Sequence, residues 1–148
     1  MNPFQSLREY EEYVYTLTQQ FPAIQRSTLV IIRRGKRTAV LHGEILFAKG
    51  YRISLKERLS CDDGPVAIED YGYELWRNNE KIAWYDAQPH PNNPELASTS
   101  PHHKHIHPDI KHHRIPAPNM SFIRPNLPVL IQEVEELIRQ ENETDTPG

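Results

Sequence analysis

The stretch TSPHHKHIHPDIKHHR, residues 99–114, carries six of the eight histidines in the chain. Imidazole titrates near neutrality and also ligates metals, so three readings compete for this run. The first is a metal site. His103, His105 and His107 alternate, and an extended backbone would turn all three to one side. Pro101 and Pro108 bracket the segment and argue against the helix that would pair His103 with His107. The chain has no set of Cys ligands and no HExxH motif, so the expectation is no metal and no cofactor.

The second reading is general acid/base chemistry on RNA. One histidine removes the 2′-hydroxyl proton, another protonates the leaving oxygen, and a cation neutralises the phosphate. Lys104, Lys111 and Arg114 lie in the same stretch. The third reading is a polar, solvated loop without chemistry.

Other residues could join such a site. RRGKR, residues 33–37, places Arg33, Arg34, Lys36 and Arg37 on one hairpin tip, where they suit a phosphate backbone or a plain solvated turn. Glu57 interrupts an alternating strand on its apolar side, as a functional carboxylate or as the partner of Arg52 or Arg58. Trp76 and Trp84 flank a hairpin and either stack bases or pair across the sheet. Asp86 ends that hairpin on the side of Trp84, where a carboxylate can orient a histidine from the loop that follows or simply close the strand.

These residues need a scaffold, and 148 residues suffice for a single domain with its own core. One cysteine, Cys61, fits a reducing compartment, and no apolar run approaches the ~18 residues of a membrane span, so a cytoplasmic protein is expected. A net charge of −3 argues against a wholesale polyanion binder.

Phe4, Leu7, Val14, Leu17 and Phe21 form an apolar helical stripe over 4–21, with Ser6 as its cap and Pro22 at its end. Strands are predicted at 28–32, 38–47, 51–59, 71–77 and 80–86, with the last two joined by Asn78-Asn79. Residues 88–125 read as irregular, since seven prolines fall between Pro89 and Pro118. A second helix follows, capped by Asn126, and the tail 141–148 is expected to fray. The predicted fold is α+β: one antiparallel meandering sheet of about five strands, an N-terminal and a C-terminal helix, and a long His/Pro-rich loop before the last helix.

ILFAKGYRISLKE (45–57), YGYEL (71–75), WYDAQPHPNNPEL (84–96) and PHHKH (101–105), in that order, resemble the TumE-like toxin family. The resemblance implies a type II toxin acting on RNA, held in check by a helix-turn-helix antitoxin. Its pattern falls on Glu57, Tyr73, Asp86, Pro89, His90, His103, Lys104 and His105. Two departures stand out: Glu74, where the family often has His, and His90-Pro91, where it often has a doubled His. Residues 106–128 lie outside the motif.

The resulting expectation is a ribonuclease-like toxin in which His103 and His105 share acid/base roles. Asp86 or Glu57 orients one of them, Lys104 offsets phosphate charge, and His90 is a further candidate. The alternative is a non-catalytic protein- or nucleic-acid-binding regulatory module, a degenerate homologue whose histidine loop docks a partner. Self-association into a homo-oligomer stays open.

Overall fold

The computed structural model describes residues 2–62 and 64–145. The N-terminal stripe forms helices because its apolar residues recur once per turn, but it breaks into α1 (Leu7–Tyr15) and α2 (Leu17–Gln20). Ser6 caps α1 by accepting from the Glu9 amide at 3.1 Å. At the break, the Thr16 hydroxyl donates to the Glu12 carbonyl at 2.6 Å, a side-chain bond that competes with the helical ladder.

Among the described residues eight strands follow, not about five. They are β1 (Arg26–Ser27), β2 (Val30–Arg34), β3 (Thr38–Leu46), β4 (Tyr51–Ser60), β5 (Ala67–Arg77), β6 (Glu80–Asp86), β7 (His103–His105) and β8 (Arg114–Pro116). All form one antiparallel sheet in the order β1-β3-β4-β5-β6-β7-β8, and β2 pairs β3 on the same side as β1. β1 and β2 are in effect one edge strand with a bulge facing Gly43. Its φ of +136° suits glycine, and a Cβ there would stand 2.7 Å from the Thr28 carbonyl oxygen.

The three strands missing from the sequence-based prediction are two or three residues long. Two of them lie within 88–125, which is therefore not wholly irregular: a short 3₁₀ helix at Pro94–Thr99 leads into β7, and β8 returns beside it. The closing helix α3 runs Leu127–Asp145, so 141–145 are helical rather than frayed, and 146–148 lie outside the described residues.

The two faces of the sheet differ because the strands alternate. Leu41, Ile53, Leu55, Leu59, Tyr73 and Leu75 point to one face and are buried beneath α1 and α3 with Tyr10, Val14, Leu127, Leu130 and Ile131. Burying each such side chain contributes about 1.5–3 kcal/mol, which makes this layer the main source of stability. Tyrosine hydroxyls fasten the helices to the same face. Tyr10 donates to Glu57, Tyr51 to Glu141 and Tyr85 to Glu133. The opposite face carries Ser54, Lys56, Gly72, Glu74 and Trp84, and among the described residues neither α1 nor α3 covers it. Among the described residues, no helix is long and apolar enough to cross a membrane.

Candidate functional site

The cluster sits on the bare face, at the end of β6, because register dictates it. Asp86 pairs with Gly72 on one side and His103 on the other, and Gly72 pairs in turn with Lys56. Cross-strand partners share a face, so Lys56, Gly72, Asp86 and His103 form one row, with His105 beside Trp84 in the next.

Asp86 stands between two imidazoles. His103 Nε2 lies 2.5 Å from Asp86 Oδ1, and His105 Nε2 lies 3.3 Å from Oδ2. The first contact is close without being an aligned hydrogen bond, and His103 Nε2 has no hydrogen-bond partner. The far side of each ring is anchored: His103 Nδ1 donates to the Pro101 carbonyl at 3.2 Å and His105 Nδ1 to that of Ile110 at 2.9 Å. Trp84 lies flat on the His105 ring with centroids 4.0 Å apart, and His90 meets the His103 ring edge-on at 4.7 Å. The side chains of His103 and His105 are 1% and 2% exposed, against 17% for Asp86.

Burial alone would push the Asp86 carboxyl up. The contact with His103, the Gln88 amide and the charges of both rings outweigh it and hold the carboxyl below its ordinary value. Burial lowers His105, opposed by Asp86 and the Ile110 carbonyl, and burial with Arg114 and His103 lowers His90.

A cleft of about 660 Å³ runs along the bare face to this cluster. Val40, Lys56, Arg58, Gly72, Trp84, Asp86 and Pro89 are among its walls. Arg58 is paired with Glu69 at 3.3 Å, while Lys56 is exposed and makes no ion pair among the described residues. Gly72 forms an open floor, since a Cβ there would meet nothing within 4 Å.

Not every residue singled out in the sequence joins this cluster. Glu57 is fully buried on the other face, accepting from Tyr10 at 2.5 Å and from Tyr73, so it pairs with neither Arg52 nor Arg58. Arg52 contacts Glu44 instead. Burial pushes the Glu57 carboxyl up to about 7, and the two tyrosine hydroxyls offset only part of that. Lys104, one residue off the His103–His105 face, turns to the helices and binds Glu133 at 2.8 Å. On the β2–β3 turn, Arg33 forms a bidentate pair with Glu11 at 2.6 and 3.1 Å, and Arg37 lies 3.5 Å from Asp62. Arg34 and Lys36 are exposed on that same turn, at the far side of the sheet from Asp86.

His107 leaves the alternating set and donates to the Lys81 carbonyl at 2.9 Å. His112 and His113 tie the β7–β8 loop together through Asp109 and the His107 carbonyl. Lys56 and Gly72 went unmarked in the sequence, and Arg58 was named there only as a partner for Glu57, because all three look like the ordinary solvated side of two strands.

Searches among curated proteins and solved structures gave no match. A family model described as Toxin TumE matches residues 14–138, which takes in Asp86, the histidines and the 106–128 stretch beyond the motif. Such a toxin belongs to a toxin–antitoxin pair and implies an antitoxin partner. With most of its length matched, the chain belongs to the TumE toxin family.

Proposed function

We propose that this toxin acts by cleaving RNA and that the Asp86–His103–His105 cluster at the end of the cleft is its reaction centre. The observation that carries this reading is the row Lys56–Gly72–Asp86–His103. It sets a cation without an ion-pair partner among the described residues and a carboxylate backed by two imidazoles on either side of an open floor. A phosphodiester laid over Gly72 would meet Lys56 on one flank and the cluster on the other, with Arg58 beside it.

The buried rings of His103 and His105 do not face solvent, so they serve as positioning residues behind Asp86. His90 is the half-exposed imidazole of the group. It takes the proton-transfer role that the sequence suggested for the other two: it removes the 2′-hydroxyl proton as the 2′-oxygen attacks phosphorus and returns that proton to the 5′-oxygen as the P–O5′ bond breaks. The roles of Arg33, Arg34, Lys36 and Arg37 are limited to peripheral contact with a long RNA, and Lys104 and Glu57 serve the fold. The antitoxin is of the helix-turn-helix kind, and the chain works in the cytoplasm.

Incubation of partner-free protein with a mixed RNA tests this directly. Cleavage that is lost in Asp86→Asn and retained in His112→Ala is the expected result. RNA left intact by the parent protein, with and without divalent cations, would refute it.

One observation favours a second reading. Both imidazoles are sealed from solvent and tied to backbone carbonyls, as in a clasp that only holds the β7–β8 hairpin to β6. The chain would then be a non-catalytic binding module. In that case Asp86→Asn would lower stability while leaving no activity to lose.

A further inference from the structure

Each imidazole of the buried pair has its Nδ1 on a backbone carbonyl, and a carbonyl can only accept. Nδ1 therefore carries the ring proton in both, and in the neutral rings both Nε2 atoms are bare lone pairs. Both face the same carboxylate, at 2.5 and 3.3 Å. Lone pairs facing a carboxylate repel it, so positive charge is called for. One added proton lets His105 Nε2 donate to Asp86 Oδ2 at 3.3 Å but leaves the closer His103 Nε2 without a partner among the described residues. Two protons would make two imidazolium rings with centroids 5.0 Å apart, buried and sharing one carboxylate. That arrangement leaves one buried charge uncompensated. The misaligned, unpartnered Nε2 of His103 also speaks against a proton aimed at Asp86.

A single cation satisfies all three groups at once. We propose that Asp86, His103 and His105 form a binding site for a first-row divalent cation of the zinc type, held by the two Nε2 atoms and one carboxylate oxygen. The three ligand atoms lie within 4.8 Å of one another. Tetrahedral zinc at bonds of ~2.0–2.1 Å holds its ligand atoms about 3.3 Å apart, so only small shifts are needed.

The donor set selects the class of ion. Two imidazoles and a carboxylate suit zinc and its neighbours iron(II), cobalt and nickel better than calcium or magnesium, which favour all-oxygen shells, or the soft ions that favour thiolates. The surroundings also match a metal site. A metal-bound histidine usually gives its other N–H to a carbonyl or carboxylate, as both rings do here, and the Asp86 carboxylate accepts from the Gln88 amide at 3.2 Å. Three protein ligands leave a further position for a water or substrate oxygen, and of the three Asp86 is the one that lines the cleft. Binding stands on this geometry alone, whereas use of the cation to polarise a phosphoryl oxygen rests on the ribonuclease reading.

The test uses tag-free full-length protein, stripped with a chelator, dialysed and titrated with Zn²⁺ and Co²⁺. The expected result is one equivalent bound at sub-micromolar Kd, a visible cobalt absorption of low coordination number, and a melting temperature raised by the ion. Asp86→Asn should weaken binding at least 100-fold, and His107→Ala should leave it unchanged. Should Asp86→Asn fail to fold, His105→Gln serves in its place, and the stoichiometry of the parent protein decides by itself. A parent that takes up less than a tenth of an equivalent overturns the site, as does an Asp86→Asn variant that binds as tightly as the parent. RNA cleavage by metal-free protein in chelator would overturn the use of the cation in the reaction, while the titration alone decides the binding site. Tight stoichiometric binding with RNA left intact would support the site and count against the ribonuclease reading.

Discussion

His103 presents one ring nitrogen to Asp86 at 2.5 Å and the other to the Pro101 carbonyl at 3.2 Å, so a single ring anchored to the backbone spans the distance to the carboxylate. Replacing Asp86 by Asn keeps the shape and removes the charge. RNA cleavage should fall about 10²–10⁴-fold, the range for losing a positioned proton-transfer or charge-stabilising group. Circular dichroism should show the fold retained. Cleavage within threefold of the parent would remove Asp86 from the site.

Gly72 offers a steric test independent of charge. It lies mid-strand between Lys56 and Asp86 with open space above it, and valine suits a strand. Gly72→Val should therefore fold normally, with a melting temperature at or slightly above that of the parent, while blocking the cleft. Loss of RNA cleavage with full stability is the expected outcome. Undiminished cleavage would mean that the substrate lies elsewhere.

Lys56 is the cation best placed for a phosphate, since it has no ion-pair partner among the described residues. Lys56→Ala should weaken binding of RNA of every sequence alike and lower the slope of log affinity against log salt by about 0.7–1. Filter binding at four or five salt concentrations measures this. Lys104→Ala should leave that slope unchanged, because Lys104 is held by Glu133 on the other face.

Glu57 gives a stability prediction with a definite sign. Its carboxyl is raised to about 7 in the folded chain from an ordinary value near 4.5. The folded state thus holds a proton that the unfolded state releases. The associated stability is fully present below about pH 4.5 and is lost as pH rises toward 7, on the order of 3 kcal/mol in total. Glu57→Gln keeps a group that can both donate to and accept from the tyrosine hydroxyls and cannot ionise. Urea melts at pH 5 and pH 8 should show the parent losing stability across that interval relative to the variant. Parallel losses in the two proteins would mean that Glu57 does not titrate there.

The long strands were legible because their side chains alternate. In YRISLKERL, Tyr51, Ile53 and Leu55 mark the buried face, and Asn78-Asn79 marks a turn that the chain makes, with Asn78 at φ +54°. Ser6 was legible as a cap for a local reason, its bond to the amide three residues on. β7 and β8 were not, because three-residue strands among prolines carry no period and exist only through pairing with β6 and with each other. Asn126 occupies the start of α3 as expected, yet its side chain turns inward to Tyr73 and Ser121, a contact that local sequence does not encode. The site followed the same division. Asp86 and the alternating His103 and His105 stood out as residue types. That Glu57 and Lys104 face the helices while Lys56 and Gly72 face the cleft depends on register across four strands.

The Nδ1 of His105 is held by the carbonyl of Ile110, which lies in the β7–β8 loop and outside the Pro-His-His-Lys-His motif. The protonation tautomer of a motif residue is thus dictated by a segment that the motif does not contain. Grafting residues 101–105 onto another sheet would carry the imidazoles across without the orientation that makes them useful. Shortening the loop to a tight turn would free the His105 ring to flip while every motif residue stayed in place. For this chain, the smallest transferable unit of chemistry is the whole β6–β8 edge with its loop.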